Sequence, residues 1–227
     1  MLVVALDGPA GAGKSTVSRR LAARLGVPYL DTGAMYRCVA LAALTAEIDP
    51  SDAAAVGELS RRIHFDISTD AVTLDGNDVT QAIRSPAVNA LVSTVAANSE
   101  VRAEMRSRQR TWAEVAGGGV IEGRDIGSVV FPDATLKVFL TASPLERAQR
   151  RATEAGGDVD QIAASIAARD HMDSTRADSP LVAAAGSVTV DTDGLDVSEV
   201  IDRIVELLAA TASGQRGIAD SSQGTQQ

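Results

Sequence analysis

The stretch Gly8-Pro9-Ala10-Gly11-Ala12-Gly13-Lys14-Ser15 decides the fold of this chain. An apolar run, Leu2-Val3-Val4-Ala5-Leu6, precedes it and predicts a buried strand. Val17, Leu21, Ala22 and Leu25 follow at the spacing of one apolar helix face. Strand, glycine-rich loop and helix is the context that the phosphate-binding loop pattern requires. Glycines at 8, 11 and 13 let the backbone turn its N–H groups inward, toward phosphate oxygens. The helix start behind them adds partial positive charge. Lys14 can reach the outer phosphates, and the Ser15 hydroxyl can ligate Mg²⁺. The bland alternative is a glycine-rich turn. Composition weighs against it: of 21 basic residues only Lys14 and Lys137 are lysines. A chain that writes its positive charge as arginine has a lysine where the loop wants a point charge on a flexible stem.

A length of 227 residues suits one α/β domain with a small insert. Apolar residues make up 45% and aromatics 3%, so the core is aliphatic and alanine-rich. The net charge of −9 argues against general nucleic-acid or anionic-membrane binding, so a phosphorylated substrate must meet a local arginine cluster. Cys38 stands alone and allows no internal disulfide, which fits a reducing compartment. His64 and His171 are too few for a His/Cys metal cluster. Residues 2–6 are too short for a signal peptide or a membrane span, and a soluble, cytoplasmic protein is expected. The arginine excess also reads as coding bias, which weakens the case for any single arginine.

Along the chain, Val27-Pro28-Tyr29-Leu30 predicts a short strand running into Asp31-Thr32-Gly33, where Asp31 or Thr32 can cap a helix. Ser51-Asp52 starts a helix to about Arg62. Period-two alternation at Phe65, Ile67, Val72 and Leu74, with a turn at Asp75-Gly76-Asn77, predicts a β-hairpin. Ser85-Pro86 opens one helix and another covers about 99–115, so 63–115 reads as an insert. Gly117-Gly118-Gly119 returns the chain to the core as Val120-Ile121-Glu122, ending at Gly123-Arg124-Asp125. Leu136 to Leu140 is a further strand, and Ser143-Pro144-Leu145-Glu146 opens a helix bearing Arg147, Arg150 and Arg151. Gly156-Gly157 is a hinge, after which Arg169, Asp173 and Arg176 share one helix face. Ser187 to Val190 is the last strand, and Asp196 with Glu199 caps the last helix. Residues 1–212 then form the folded unit, with a disordered polar tail at 213–227.

Strands alternating with helices predict a parallel sheet with helices on both faces and a ligand cleft beyond the carboxyl ends of the strands. Each charged motif follows a strand, so the motifs converge on that cleft. Taken singly, each arginine is as well explained by solvation or ion pairing, and Arg147 and Arg151 could pair with Glu146 or Glu154.

Three stretches together resemble the bacterial cytidylate (CMP) kinases: Asp7 to Ser15, Asp31-Thr32-Gly33-Ala34-Met35-Tyr36-Arg37, and Gly123-Arg124-Asp125-Ile126-Gly127. Phe131-Pro132-Asp133-Ala134, Ser143 to Arg151 and Arg169 to Arg176 with Pro180-Leu181 agree, and the likeness covers about residues 2–210. The resemblance implies a P-loop kinase core: a parallel five-stranded sheet flanked by helices, an inserted acceptor-binding segment and a lid at about 147–176. It implies transfer of the γ-phosphate of ATP to CMP or dCMP with Mg²⁺. ATP would meet Gly8, Pro9, Ala10, Gly11, Ala12, Gly13, Lys14, Ser15 and Thr16, with Mg²⁺ on Ser15. Ser93, Arg102 and Asp125 would meet the cytosine; Arg37, Arg124 and Arg176 the CMP phosphate; Arg169 and Asp173 the sugar, with Tyr36 and Thr32 alongside. Lys14, Arg124, Arg147 and Arg151 would act on the transferring phosphoryl group. Glu122 departs from the aspartate common at that position, and no metal role is assigned to it. The expected partners are ATP, CMP and dCMP, with no nucleic acid and no membrane, for a monomer. A kinase for another small acceptor, such as a different nucleoside monophosphate or shikimate, is the rival reading; the insert and the Arg102/Asp125 pair speak against it. A guanine-nucleotide switch would need an Asn-Lys-x-Asp segment, which is missing.

Overall fold

The computed structural model describes residues 1–222, and among the described residues the chain builds eight strands and eight α-helices. Strand β1 (Leu2–Asp7) leads through the glycine loop into α1 (Lys14–Leu25); β2 (Tyr29–Asp31) leads into α2 (Thr32–Thr45). Helix α3 (Ala53–Arg62) and strands β3 (Phe65–Ile67), β4 (Val72–Leu74) and β5 (Asn77–Asp78) precede α4 (Pro86–Ala97) and α5 (Ser99–Ala116). Then come β6 (Gly118–Gly123), a π-helical turn (Ile126–Val130) and β7 (Leu136–Thr141). Helices α6 (Pro144–Ala155) and α7 (Val159–Thr175), strand β8 (Val188–Asp191) and helix α8 (Val197–Ser222) close the chain.

The main sheet has the order β2-β6-β1-β7-β8 and is parallel throughout. Strand β1 is central, and its period-two pattern divides the core. Val3 and Ala5 join one buried cluster with α2, α4 and α5; Val4 and Leu6 join the other with α1 and α8. Because β6 pairs on one side of β1 and β7 on the other, the loop after β1 opens where successive connections diverge to opposite sides of the sheet. The inserted strands form an antiparallel three-stranded sheet, β3-β4-β5. The insert has no separate core, since Ile67, Val72, Val88 and Met105 share the first cluster.

Two expectations need adjusting. The glycines at 118 and 119, expected to lead into a strand beginning at Val120, lie inside β6, where Gly118 pairs with Leu2. A Cβ on Gly118 would fall 2.1 Å from the Leu2 carbonyl oxygen, and one on Gly119 would fall 2.5 Å from that of Pro28. Neighbouring strands approach too closely for any side chain, and both residues have positive φ. Helix α8 runs to Ser222, so residues 213–222 of the expected tail are helical, and 223–227 lie outside the described residues. No proline follows Ala212 to break the hydrogen-bond ladder.

Helix starts follow the sequence. Asp31, Asp52, Ser85, Asn98, Ser143, Asp158 and Asp196 accept backbone N–H groups at the starts of α2 to α8. Among the described residues α1 is the exception: no side chain caps it, and Gly13 precedes it in the left-handed region.

The loop glycines separate two costs. Gly8 has φ +152° and its Cβ would lie 2.1 Å from the Leu140 carbonyl oxygen; Gly26 has φ +65° with nothing within 4 Å. Gly26→Ala is expected to cost about 1 kcal/mol from backbone strain alone. Gly8→Ala is expected to cost about 4 kcal/mol or more, because β1 and β7 must part. Urea midpoints of the two variants check this, and equal losses would contradict it.

Candidate active site

The carboxyl ends of β1, β2, β6, β7 and β8 deliver the glycine loop, Asp31, Arg124-Asp125, the Arg147 helix and the turn at Thr192 to one end of the sheet. At its base, Asp7 is buried at the end of β1. Its Oδ1 accepts the Ile126 N–H at 2.8 Å and its Oδ2 the Gly127 N–H at 2.7 Å. One carboxylate therefore ties the phosphate loop to the segment bearing Arg124 and Asp125.

Lys14 is buried, and its Nζ donates to the Pro9 carbonyl at 2.7 Å. Burial, with Arg124 and Arg169 close by, holds its ammonium well below the usual lysine range, while Glu122 and Asp7 act in the other direction. Glu122 accepts the Tyr29 hydroxyl at 2.5 Å. Burial and the nearby Asp31 charge push its carboxyl upward, and Ser15 stands beside it. Thr32 donates to the Glu122 carbonyl at 2.6 Å, while Asp31 takes the capping role.

Beyond the loop, opposite charges alternate. Arg102 Nη2 donates to Asp125 Oδ2 at 2.5 Å; Arg176 lies 3.8 Å from Asp125 and 3.6 Å from Asp173; Arg124 Nε donates to Asp173 Oδ2 at 2.9 Å. Three guanidinium groups share two carboxylates, so positive charge is in excess. Arg169 and Arg37 enlarge it. Burial and neighbouring guanidinium groups bring each down to about 10. Arg102 Nε, Arg169 Nε and Arg176 Nη2 are buried with no hydrogen-bond partner among the described residues. Such donors are costly unless a ligand accepts from them. Tyr36 packs 5.6 Å below the Arg102 guanidinium, and Ser93 lies half-buried on α4.

Not every expected residue joins. Arg147 reaches the loop: Nη1 donates to the Ala10 carbonyl at 2.9 Å and pairs with Asp170. Arg151 is half-exposed and 3.6 Å from Glu154, the ion-pair alternative open in the sequence, though it is near enough to Arg37 to help depress it. Arg176 does not complete the α7 face; it is the residue after the helix end, and its Nε donates to the Ser179 carbonyl at 2.6 Å. Sequence reasoning missed Asn89, whose Oδ1 accepts from Arg37 at 2.6 Å; Arg150, read only as one of the arginine triplet, donates to the Thr192 hydroxyl and carbonyl at 2.9 and 2.8 Å. Also missed were Asp178, held by Arg106 at 2.9 Å, and Asp170. An acid beside Arg169, three residues before Asp173, was the available signal for Asp170.

No group of three or more His, Cys, Asp or Glu among the described residues could hold a metal by itself. A hard cation here would rest on the Ser15 hydroxyl, ligand phosphate oxygens and water, a donor set that suits Mg²⁺. Among the described residues no helix is long and apolar enough to cross a membrane.

The family model described as cytidylate kinase matches residues 4–210. A cytidylate kinase of Mycobacterium leprae is 50% identical over 212 residues, covering 91% of this chain and 95% of that protein. A bifunctional pantoate ligase/cytidylate kinase of Synechocystis is 50% identical over 217 residues, covering 90% of this chain but 42% of that protein, so the chain spans less than half of it. A solved structure from Thermus thermophilus superimposes with a TM-score of 0.51 at 18% identity, covering 92% of this chain and 96% of that one, a likeness of fold.

Asp7 gives the base of the site a pH signature. Burial pushes its carboxyl from 3.8 up to about 6 despite its two amide donors. The folded state then holds the proton more tightly than the unfolded chain. Stability from protonated Asp7 is full below about pH 4 and is lost as pH rises through about 6. Relative to Asp7→Asn, wild type is expected to lose about 3 kcal/mol between about pH 4 and pH 7, read from urea unfolding of both. A pH-independent difference would contradict this.

Proposed function

We propose, because this chain belongs to the cytidylate kinase family, that it transfers the γ-phosphoryl group of ATP to CMP or dCMP, giving CDP or dCDP. One observation carries the reading: buried arginines, with guanidinium nitrogens that lack a hydrogen-bond partner among the described residues, share carboxylates at the same end of the sheet as an uncapped helix start. The first set suits an anionic acceptor, and the second suits donor phosphates.

The chemistry needs charge and alignment more than covalent assistance. The attacking CMP phosphate oxygen is already anionic, so no general base is required. Lys14, Arg147 and the loop N–H groups meet the donor phosphates; Arg37, Arg124 and Arg176 hold the acceptor phosphate, and Arg169 with Asp173 the sugar. Fixed cations then stabilise charge on the equatorial oxygens during in-line transfer. Bound Mg²⁺, held through Ser15, would neutralise phosphate charge. The lid segment bearing Arg147 and Arg169 excludes water that could otherwise accept the phosphoryl group. These roles rest on the family's motifs and on the charge arrangement above, and the enzyme acts as a monomer free in the cytoplasm.

Lys14→Ala is expected to keep its melting temperature near that of wild type and to lose about 100-fold or more in turnover. An assay coupling ADP release to added CMP measures it, and near-normal CMP-dependent turnover would contradict the donor assignment.

Base choice follows from hydrogen-bond polarity. Cytosine offers an amino donor and ring acceptors, which match a carboxylate and a guanidinium; uracil reverses the donor and acceptor at positions 4 and 3. CMP is expected to exceed UMP by about 100-fold or more in kcat/KM. Arg102 is fully buried, so Asp125→Asn, which keeps an oxygen acceptor for its guanidinium, disturbs the pair less than removing the side chain would. It should lose about 100-fold on CMP and proportionally less on UMP. Equal losses on both would make Asp125 a structural partner of the arginines alone.

A further inference from the structure

One amide of the phosphate loop is engaged by a distant part of the chain. Asp170 Oδ1 accepts the Ala10 N–H at 3.1 Å, although its helix α7 lies 160 positions further along. The other oxygen of the same carboxylate pairs with Arg147 Nη1, which also donates to the Ala10 carbonyl at 2.9 Å. Arg147 is anchored besides by its Nε, which donates to the Ala142 carbonyl at 3.2 Å. Lys14 is turned onto the Pro9 carbonyl at 2.7 Å. A loop amide and the two cations meant for phosphate are therefore each engaged by protein, and a carboxylate provides the negative charge at the loop.

We propose that Asp170 is a positioning residue that stands in for a donor phosphate and is displaced when the donor binds. The inference rests on the reading of this loop as the ATP site. A carboxylate and a phosphate oxygen compete for the same donors, an amide N–H and an arginine fork. They also repel each other, so both cannot keep these partners at full strength. Displacement frees Arg147 to face the phosphoryl group. Because Asp170 is one residue after Arg169 and three before Asp173, it also releases the part of α7 that meets the acceptor sugar. Donor binding and the placement of the acceptor's partners are coupled through one side chain.

Asp170→Asn keeps size and helix while removing the charge; Asp170→Glu keeps the charge. Calorimetric titration of the full chain with ATP and Mg²⁺, without CMP, is expected to show ATP binding roughly fivefold to tenfold tighter in Asp170→Asn. Asp170→Glu should bind ATP within about threefold of wild type. A purely structural role would lower the melting temperature without tightening ATP binding. Unchanged or weaker ATP binding in a folded Asp170→Asn, or equal tightening in both variants, overturns the proposal. Wild type that binds no ATP would overturn the kinase reading and this inference together, whereas normal wild-type binding with no tightening in Asp170→Asn overturns the inference alone.

Discussion

Arg102 and Asp125 form an ion pair out of contact with water, 2.5 Å from Nη2 to Oδ2, and the rest of the site depends on it. Arg102 comes from the insert helix α5 and Asp125 from the end of β6, so the pair joins the insert to the main sheet. Such a pair is a poor source of stability, since desolvation offsets most of the attraction. Breaking it is costly, because each charge then stands alone. Its value here is positional. Asp125 also faces Arg176, Arg176 faces Asp173, and Asp173 holds Arg124. The insert, the strand end and α7 are aligned by one alternating run of charge.

Much of this was legible in the sequence, for reasons tied to distance along the chain. The glycine loop, the strand before it and the helix after it lie within 25 residues, and their chemistry is local. The caps read at the starts of α2, α3, α4, α6 and α8 and the hairpin turn at Asp75-Gly76 are local too, whereas Asn98 and Asp158, which cap α5 and α7, were not singled out. What could not be read is long-range. Asp7 meets amides 119 and 120 positions away, and Asp170 meets one 160 positions away. No pattern in a single sequence announces such partners. Gly118 and Gly119 misled for a related reason: they read as leading into the strand, yet here glycine answers to backbone crowding across strands. Arg151 and Arg147 looked equivalent on one helix, but only Arg147 lies on the side that faces the loop.

The site carries charge that the fold alone does not need. Arg37 and Arg169 are brought down to about 10, first by burial and then by neighbouring guanidinium groups, Arg124 among them for both. A chain of net charge −9 keeps this positive cleft at the end of its sheet, where it can hold an anion that the overall field would repel. A bound phosphate would relieve the crowding, and Arg176 Nη2, which has no hydrogen-bond partner among the described residues, would gain an acceptor. The acceptor nucleotide should therefore stabilise the protein far more than its size suggests.

The most direct measurement is the melting temperature of wild type with CMP, UMP or inorganic phosphate at equal concentration and no ATP. At 100 times its dissociation constant a ligand adds about 2.7 kcal/mol, which for a chain of this size raises the melting temperature by about 5–10 °C. The account predicts a rise of that order with CMP, and much smaller ones with UMP and phosphate. Equal rises with CMP and UMP, or none with CMP, would contradict it.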